Sequence, residues 1–402
     1  MEGKVLLNRL LNFGDEWNVK DVLINDSFKE IDIFLEYTKT TGFCPVTKTE
    51  CKIYDFRETR RFRHLDLFDY KTYINARIPR VINDKSDVNT IDLIWAGDRV
   101  SYTYLFEYRV IESLQTSKNQ TKTAKFFDTS FDIVHTIMQR AVCRGLARRN
   151  LDGIWALGLD EKSFGNGHKY ITILSNPATK CVIDLIEGRK EEDTAELINC
   201  TLSPRQLDKV ELVSMDMWQP YMSAVTEVIP QADIVHDKFH TSKYLNKAVD
   251  EVRKEEVKKQ EILKNTKYIF LKKQDSWTES QKLKFEEVKQ INLLTSQAWQ
   301  IKENFKDIYN QGRKSLCLKY FEQWYKDTLD FDIKQMTKVA DTMLNHLKGI
   351  VNSAVTHITN SIAENINGQI QVIKTVARGF ANVTGYRNSI LFFQGGLDMT
   401  PL

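Results

Sequence analysis

The chain has 402 residues, of which 42% are hydrophobic and 28% charged, and its formal net charge is +3. This length allows about two or three domains, and the composition is that of an ordinary globular protein. No run approaches the roughly 18 apolar residues of a membrane span, and the first residues lack a signal-peptide pattern. We therefore expect a cytoplasmic protein with no membrane partner, while so small a net charge indicates nothing about nucleic acids.

The six cysteines are scattered and form no C-x-x-C pair, which is typical of a reducing compartment. Only Cys44 and Cys51 are close to each other in the sequence. They would form half of a zinc site, but such a site normally has four ligands and no second pair follows. Free thiols are the favoured interpretation, so structural zinc is not expected.

Residues 1–88 are predicted to form a small DNA-binding head. Between Lys52 and Arg80 there are eight Lys/Arg residues and four acids, with aromatic residues between them. Cations that alternate with aromatic side chains suit a surface that contacts phosphates, although a solvated, strand-rich face is an equal alternative. The candidate DNA contacts in this run are Arg60, Arg61 and Arg63.

Residues 89–150 follow the outline of a helix-turn-helix. Helices are predicted over Tyr102–Gln115, Gln120–Phe127 and Ser130–Arg149, and Ser130 is suited to cap the last of them. A short helix, a tight turn and a longer basic helix are typical of this DNA-binding motif, although any pair of packed helices has the same outline. The candidate DNA contacts on the last helix are Arg140, Arg144, Arg148 and Arg149.

After Asn150, short apolar runs alternate with turn residues. The predicted strands are Ile154–Asp160, His168–Leu174, Cys181–Glu187, Val210–Met217 and Ala232–His236, with a turn at Gly165–Gly167 and helices over Glu191–Leu197 and Pro220–Ile229. This order is that of an α/β fold, a ribonuclease-H-like mixed sheet whose later strands are parallel and buried. A long polar helical segment, from about Thr241 to Lys348, is interpreted as an all-helical insertion.

Two aspartates lie where predicted strands end. Asp160 ends the first strand of this region, and Asp216 ends another, after the apolar run Leu212–Met215. An acid at the edge of a buried strand is costly unless it is paired or binds a metal ion. Either aspartate alone would be interpreted as a turn cap, so their significance rests on the pair.

The third acid, Glu364, lies on a predicted helix over His357–Phe380. At about 100° per residue, apolar residues from Ile362 onward fall on one face of this helix. The opposite face contains Glu364, Asn367, Gln371, Lys374 and Arg378. An acid followed by cations suits a helix that approaches DNA, with Glu364 at a metal ion and Lys374 and Arg378 at phosphates; an ordinary solvated face is the alternative.

Three carboxylates that converge from two strands and a helix can hold two Mg²⁺ ions, with Mn²⁺ as a substitute. Such a pair of ions lowers the pKa of a bound water or 3′-hydroxyl and stabilises both oxygens of an in-line phosphoryl displacement. No phosphate-binding glycine loop, nucleophile elbow or zinc-protease motif competes with this interpretation. The predicted catalytic and metal-binding residues are therefore Asp160, Asp216 and Glu364.

Two further features lie near this trio in the sequence. Trp218 follows Asp216 by two residues and is interpreted as a core residue, with stacking on an extruded base as the alternative. Asp237 and His240 form a D-x-x-H after the fifth strand of the region. They are predicted to order the acids as supporting hydrogen-bond partners, and a plain helix cap is the alternative.

Three long segments resemble one known family: LGLDEKSFGNGHKYITIL, VSMDMWQPYMSAVTEVIPQADIVHDKFH and THITNSIAENINGQIQVIKTVARGFANVTGYRNSILFFQGGLDMTP. They resemble bacterial insertion-sequence DDE transposases of the ISL-three family, from about Cys44 to the C-terminus. The resemblance implies a ribonuclease-H-like catalytic domain with a helical insertion between the second Asp and the Glu. The positions that match the family's catalytic acids and its D-x-x-H are Asp160, Asp216, Glu364, Asp237 and His240. Asn365 stands where a glycine commonly follows the catalytic Glu.

The head departs from the family's pattern. The family usually opens with a zinc ribbon, but Thr47 stands at the place of its second cysteine, and Asn83 and Ser86 replace the later ligands. The resemblance thus implies a zinc-ribbon-like head whose zinc ligands are degraded and whose basic run is kept.

The predicted organisation has five segments: the zinc-ribbon-like head (1–88), a helix-turn-helix (89–150), the first part of the catalytic domain (151–245), the helical insertion (246–350) and the last part of the catalytic domain (351–402). The predicted function is that of a bacterial, nucleoid-associated transposase that binds double-stranded DNA. A homodimer bridging two inverted ends would cleave their 3′ ends and transfer them to target DNA. The alternative is a catalytically silent, transposase-derived DNA-binding protein, which the missing zinc ligands favour.

Overall fold

The computed structural model describes residues 2–165, 169–272, 276–289, 291, 293–356 and 361–401. The chain divides into two compact units, one formed by Met1–Arg148 with Leu397–Leu402 and the other by Arg149–Gly396. Within the described ranges, no helix is long and apolar enough to cross a membrane. Some residues of the predicted turns, strands and helices lie outside the described ones, namely Asn166, Gly167, His168 and His357.

The described part of the first unit contains a mixed sheet of six strands. The strands are β1 (Trp17–Asn25), β2 (Glu30–Tyr37), β3 (Thr41–Phe43), β4 (Glu50–Arg63), β5 (Lys71–Ile82) and β6 (Val88–Thr90). Their order is β1-β2-β5-β4-β3, with β6 beside β5, and β2 runs parallel to β5. The basic run Lys52–Arg80 lies in the β4–β5 hairpin.

One face of this sheet is apolar because alternate residues of a strand point to the same side. The fully buried side chains on this face include Ile33, Phe62 and Ile74. Phe62 packs edge-on against Trp95, with ring centroids 5.1 Å apart. On the opposite face the Arg61 guanidinium lies 3.4 Å from the centre of the Tyr73 ring. The interleaved cations and aromatics of the sequence therefore divide into a core face and a charged face.

The two cysteines of the head lie beside a tight turn. Cys44 follows β3 and Cys51 lies in β4, and both are buried. The Cys44 backbone amide donates to the Thr49 carbonyl oxygen at 2.9 Å. In the later turn, Oδ1 of Asn83 accepts hydrogen bonds from two backbone amides, at 2.9 and 3.0 Å. Hydrogen bonds thus close both turns in which the family pattern has zinc ligands.

The helices of the first unit are α1 (Glu2–Leu11), α2 (Tyr104–Ser117), α3 (Gln120–Phe126) and α4 (Phe131–Arg148). The three helices predicted for the helix-turn-helix are therefore present, with slightly different ends. Each of them begins at a side chain that accepts a hydrogen bond from a first-turn amide, which satisfies a donor that the helix leaves unpaired. These caps are Thr103, Asn119 and Ser130. The predicted cap at Ser130 is confirmed, with its Oγ 3.2 Å from the Ile133 amide.

The described part of the second unit contains a mixed sheet of five strands. They are β7 (Ala156–Ser163), β8 (Tyr170–Asn176), β9 (Cys181–Glu187), β10 (Leu212–Met215) and β11 (Asp233–His236). Their order is β11-β10-β7-β8-β9; β7, β8 and β9 are antiparallel, whereas β10 runs parallel to both β7 and β11. The five predicted strands are confirmed, with bounds that differ by a few residues.

The rest of the second unit is helical. Its helices are α5 (Glu191–Thr201), α6 (Pro204–Leu207), α7 (Gln219–Val228), α8 (Lys238–Glu256), α9 (Lys267–Leu271), α10 (Glu279–Lys289), α11 (Leu294–Phe305), α12 (Lys314–Asp330), α13 (Lys334–Asn345), α14 (Leu347–Thr356), α15 (Ser361–Val376) and α16 (Val383–Gln394), with short 3-10 turns at Glu261–Leu263 and Lys306–Asn310. Helices from α8 to α14 enclose an aromatic core that includes Phe270, Phe305 and Trp324. The predicted helical character of this long polar segment is confirmed.

The helix that contains Glu364 is shorter than predicted. It ends at Val376, because Arg378 and Gly379 take left-handed φ angles of 57° and 101°. The Gly379 amide donates to the Lys374 carbonyl oxygen at 3.1 Å and closes the helix end. Arg378 therefore lies in the turn after α15, and its predicted place on the polar face of the helix is wrong.

Candidate active site

Two neighbouring parallel strands bring the predicted aspartates together. Ser214 of β10 pairs with Gly158 of β7, and Asp216 and Asp160 each follow two residues later. Because neighbouring parallel strands point their carboxyl ends to the same edge of a sheet, both carboxylates lie at that edge. The negative charge of Asp216 is close enough there to raise the pKa of Asp160.

Asp160 lies in β7 and contacts α15. Its Oδ2 accepts a hydrogen bond from the Asn367 side-chain amide at 2.5 Å, and its Oδ1 accepts one from the Glu161 backbone amide at 2.7 Å. Burial, and after it the negative charge of Asp216, raises the pKa of Asp160 to about 6. These two hydrogen bonds and His240 oppose the rise without cancelling it. The ionised form of Asp160 is therefore under-compensated by the chain itself.

Asp216 is contacted from the first turn of α8. Nε2 of His240 lies 2.5 Å from Oδ1 of Asp216. Burial disfavours a charged imidazolium, but the hydrogen bond and charge of Asp216 outweigh it, so the pKa of His240 is raised above its ordinary value. Asp237 caps the same helix, since its side chain accepts from the Phe239 amide at 3.1 Å. The D-x-x-H thus contains both a helix cap and a partner for Asp216.

The strand that leads into α8 is packed closely against α14. His236, the last residue of β11, is buried, and its Nδ1 lies 3.3 Å from the Met215 carbonyl oxygen. Burial lowers the pKa of His236 to about 4, so its imidazole is neutral near neutral pH. A Cβ atom at Gly349 would lie 2.3 Å from Cδ2 of His236, so α14 can approach this closely only with glycine there. This packing fixes the position from which α8 starts.

The third predicted acid, Glu364, lies in the first turn of α15, and its side chain is outside the described residues. Asn367 follows three residues later. Its Oδ1 is buried and has no hydrogen-bond partner among the residues that the structure describes. The Lys162 ammonium donates to the Asn367 carbonyl oxygen at 3.3 Å, and Lys374 donates to the Ser163 carbonyl oxygen at 3.2 Å. These two bonds join α15 to β7.

The described donors fit a divalent cation. Asp160 and Asp216 supply carboxylate oxygens, and Asn367 adds a neutral amide oxygen that lacks a partner next to Asp160. Hard cations such as Mg²⁺ prefer oxygen donors of this kind. Within the described ranges, no group of three or more His, Cys, Asp or Glu side chains is placed to hold a metal ion. The described part of the chain therefore contributes two of the three predicted carboxylates.

The cations predicted to contact DNA in the first unit have partners of their own. Arg63 is only 6% exposed, and its guanidinium donates to the His64 carbonyl oxygen at 2.7 Å. Arg144 pairs at 2.6 Å with Glu107, which is buried. Carbonyl or carboxylate oxygens of the same unit also bind Arg60, Arg61 and Arg148. Arg140 has a buried Nε without a partner in the described part of the chain.

The β4–β5 hairpin offers two other cations to solvent. Arg57 and Arg77 are exposed; Arg57 donates to the Thr90 hydroxyl at 3.1 Å, and Arg77 donates to the Arg57 carbonyl oxygen at 3.3 Å. Among the described residues, no acid lies within ion-pairing distance of either guanidinium. In the second unit, Arg149 donates to the Ile183 carbonyl oxygen at 2.5 Å. Arg57 and Arg77 are thus exposed arginines of the basic run that form no described ion pair.

Two contacts of the site were not predicted from the sequence. Arg189, in the turn after β9, pairs with Glu161 at 3.0 Å, next to Asp160 in the chain. Asn367 binds Asp160 across 207 residues of sequence. The signal for Asn367 was its spacing of three from Glu364 on one helix face, whereas nothing in the sequence links Arg189 to Glu161.

Comparisons with known proteins place the chain among transposases. A family model for ISL3-type DDE enzymes, described as a transposase, matches residues 157–390, which is more than half of the chain. The transposase for insertion sequence element IS1001 of Bordetella parapertussis is 24% identical over 377 residues, covering 92% of this chain and 91% of that protein. The Drosophila P element transposase strand transfer complex aligns with a TM-score of 0.40 and 10% identity, over 73% of this chain and 93% of that chain. From the family match, this chain belongs to the ISL3 (ISL-three) family of insertion-sequence DDE transposases.

Proposed function

We propose that this transposase cuts DNA at the two inverted ends of its insertion sequence and joins the freed 3′ ends to target DNA. Asp160, Asp216 and Glu364 would hold two divalent cations, Mg²⁺ or Mn²⁺ in its place. The observation that carries the proposal is the pair of aspartates at one sheet edge, where burial and mutual repulsion raise the pKa of Asp160 to about 6. A bound cation would offset the repulsion between the two carboxylates and stabilise the ionised form of Asp160.

The sheet of the second unit supports a ribonuclease-H-like catalytic domain. Three antiparallel strands, β7 to β9, are followed by β10 and β11, which extend the sheet in parallel on the other side of β7. The helices from α8 to α14 would then be the insertion between the second aspartate and Glu364. The first unit would supply a zinc-ribbon-like head that keeps its turns through hydrogen bonds, followed by the helix-turn-helix.

Bound divalent cations supply a nucleophile of lowered pKa and stabilise the charge that develops on the entering and leaving oxygens. The chain's own residues prepare the site for them. His240 holds one oxygen of Asp216, and Asn367 and the Glu161 amide orient both oxygens of Asp160. These contacts fix the orientation of both carboxylates, so the chain itself preorganises the donors.

Double-stranded DNA is the proposed partner, and a homodimer is proposed to hold two ends. Arg57 and Arg77 on the β4–β5 hairpin, with the basic helix α4, would contact phosphates of the inverted repeats. Lys374 and Arg378 would contact the DNA near the acids. Exposed cations without an acid partner are the best candidates, because a paired guanidinium must break its ion pair before it can bind a phosphate.

The test uses DNA that flanks the gene as the substrate, with Mg²⁺ and a target plasmid. Asp160→Asn and Glu364→Gln should each abolish cleavage while leaving binding to the ends unchanged. Asp208→Asn, at an exposed acid of the same unit after α6, is the matched control and should cleave normally. Cleavage that survives either active-site change refutes the assignment of the acids. Bound but uncut ends with the wild-type protein would support the catalytically silent alternative.

A further inference from the structure

A cavity of about 300 Å³ opens beside Asp216 in the second unit. Its lining combines aromatic and cationic side chains with two acids, Asp216 and Glu161. The lining residues used below are Trp218, Tyr244, Arg189, Lys243, Lys247 and His240. No step of the proposed cleavage uses the first five of these residues, so the cavity needs an explanation of its own.

Trp218 forms a wall of this cavity and is not part of the core. It precedes α7 directly and is 40% exposed, so the prediction that it is a core residue is wrong. Its Nε1 donates to the Arg189 carbonyl oxygen at 3.3 Å, which holds the ring by its edge. The Arg189 guanidinium lies 5.0 Å from the centre of this ring and 4.0 Å from that of Tyr170. An exposed indole held in one orientation presents a flat apolar face.

The backbone before Arg189 is built for this arrangement. Gly188 has a φ of +107°, and a Cβ atom there would lie 2.1 Å from Oδ2 of Asp193. The same carboxylate accepts from the Lys190 amide at 3.0 Å and caps α5. Only glycine fits this turn, so the position of Arg189 over the Trp218 and Tyr170 rings is set by the chain.

Two lysines add positive charge on another side of the cavity. Lys243 and Lys247 lie one turn apart on α8, and both are exposed, as is Tyr244 between them. Lys247 lies 3.9 Å from the Glu251 carboxylate in an exposed, weak pair, so Lys243 is the stronger candidate of the two. The helix also contains His240, which contacts Asp216. A flat aromatic wall, a positive rim and a volume near the lower limit for ligand pockets suit one aromatic ring with an attached anion.

We propose that this cavity binds a single unpaired nucleotide of a DNA end, with its base stacked on Trp218 and its phosphate facing Lys243 and Lys247. This subsite rests on the proposed DNA-cutting function and adds to it the form of the substrate. Because Asp216 and His240 line the same cavity, a nucleotide held here lies next to the phosphodiester at the acids. The cost of unpairing the terminal base is offset by stacking, and the end of the duplex is thereby positioned for cleavage.

The test measures how a short DNA hairpin binds when it carries one unpaired pyrrolo-deoxycytidine at its end, since stacking quenches this fluorescent base. Wild-type protein should quench it, and Trp218→Ala should remove the quenching and weaken binding at least about fivefold. Trp155→Ala is the matched control, because Trp155 is 43% exposed and precedes β7 at the opposite end of the strand from Asp160. Trp218→Phe keeps a flat ring and should retain most of the quenching.

Equal quenching by wild-type, Trp218→Ala and Trp155→Ala proteins overturns the subsite. If Trp218→Ala does not fold, the double variant Lys243→Gln/Lys247→Gln decides: it should weaken binding of the unpaired probe and reduce its salt dependence, and unchanged binding overturns the proposal. Cleavage of gene-flanking DNA is assayed in parallel. Wild-type cleavage without Trp218-dependent quenching refutes the subsite alone, whereas Trp218-dependent quenching without cleavage refutes the proposed cutting activity alone.

Discussion

Two clusters that contain acids, a buried one in the first unit and a half-buried one in the second, are compensated in opposite ways. In the first unit, Glu107 on α2 is 1% exposed and faces the Arg144 guanidinium at 2.6 Å, so a full positive charge balances it. In the second unit, Asp160 lies beside another acid, Asp216, and its hydrogen-bond donors are the Asn367 amide and a backbone amide. The first carboxylate is thus paired with a cation, whereas the second accepts hydrogen bonds from neutral amides and faces another acid.

This difference separates a compensated carboxylate from an under-compensated one. Transfer of a carboxylate into the protein interior is unfavourable unless a cation accompanies it. Where the chain supplies that cation, as Arg144 does, the acid stabilises the fold only through the pair. Around Asp160 the chain supplies two neutral donors, His240 and a second acid, and with these neighbours the pKa of the carboxyl stays raised. The two clusters therefore respond in opposite directions when their charges are removed.

The largest expected effect is in the first unit. Arg144→Met should lower the free energy of unfolding by about 3–5 kcal/mol, because it leaves Glu107 buried without its cation. Chemical denaturation followed by circular dichroism measures it. The control is Arg109→Met on α2, the helix that also contains Glu107, because the pair of Arg109 with Glu112 is exposed and contributes at most about 1 kcal/mol. The double variant Arg144→Met/Glu107→Leu should recover much of the loss, and a double variant as unstable as the single one contradicts this account.

The second prediction has the opposite sign. A pKa raised from 3.8 to about 6 means that folded Asp160 holds its proton more tightly than unfolded Asp160 does. Between these values the stability of the metal-free protein falls as pH rises, and it stays lower above about pH 6. Asp160→Asn should therefore raise the free energy of unfolding at neutral pH by up to about 3 kcal/mol when a chelator is present.

Adding Mg²⁺ completes that test. It should stabilise the wild-type protein and leave Asp160→Asn nearly unchanged, because the variant lacks the ionised donor. Thermal unfolding with and without Mg²⁺ at several pH values measures both effects. An Asp160→Asn protein that is less stable than the wild type in chelator would show that Asp160 is compensated within the chain, as Glu107 is.

The sequence predicts the order of the elements better than their ends. All five strands of the second sheet were expected, because each is an apolar run between turn residues. β7, however, continues beyond Asp160 to Ser163 through polar residues, since β8 pairs with it there. The end of α15 at Val376 was missed although Gly379 marks it, because the apolar periodicity continues past the glycine.

The candidate site divides in the same way. Asp160 and Asp216 were identified because each comes at the end of an apolar run that predicts a buried strand. Their partners were not, since the bond from Asn367 to Asp160 and the pair of Arg189 with Glu161 depend on how distant segments pack. Side-chain contacts of this kind have no periodic signal, so a single sequence does not contain them.

The two units should behave alike in the pH dependence of stability that their buried histidines cause. Burial lowers the pKa of His236 to about 4, and burial together with the charge of Arg63 lowers that of His64 to about 4. The unfolded chain binds these protons near pH 6.5, so stability is lost as pH falls from about 6.5 towards 4. Each histidine should cost about 2 kcal/mol between about pH 7 and pH 5.

His64→Asn and His236→Asn test this separately. Each variant should make the loss of stability in acid shallower by about 2 kcal/mol at pH 5, and their effects should add, since the residues belong to different units. Denaturation curves over this pH range measure the slopes. Slopes as steep as that of the wild type would mean that both imidazoles accept protons while folded.

The smallest effect concerns the exposed cations of the first unit. Here the comparison is between arginines without an acid partner and an arginine that is paired with acids. Arg57 and Arg77 have no ion-pair partner among the described residues, whereas Arg61 pairs with Asp32 and Glu30 at 2.8 Å. Arg57→Gln/Arg77→Gln should therefore weaken binding to a short duplex of arbitrary sequence and lower the slope of log affinity against log salt by about 0.9 per lost phosphate contact. Stability should change by no more than about 0.5 kcal/mol.

Arg61→Gln is the matched control, because the Arg61 guanidinium is already neutralised, and it should leave the slope unchanged. A change of slope with Arg61→Gln but not with the double variant would contradict this account. It would mean that DNA displaces the acids from Arg61, so that an ion pair within the chain does not prevent a cation on this face from binding DNA.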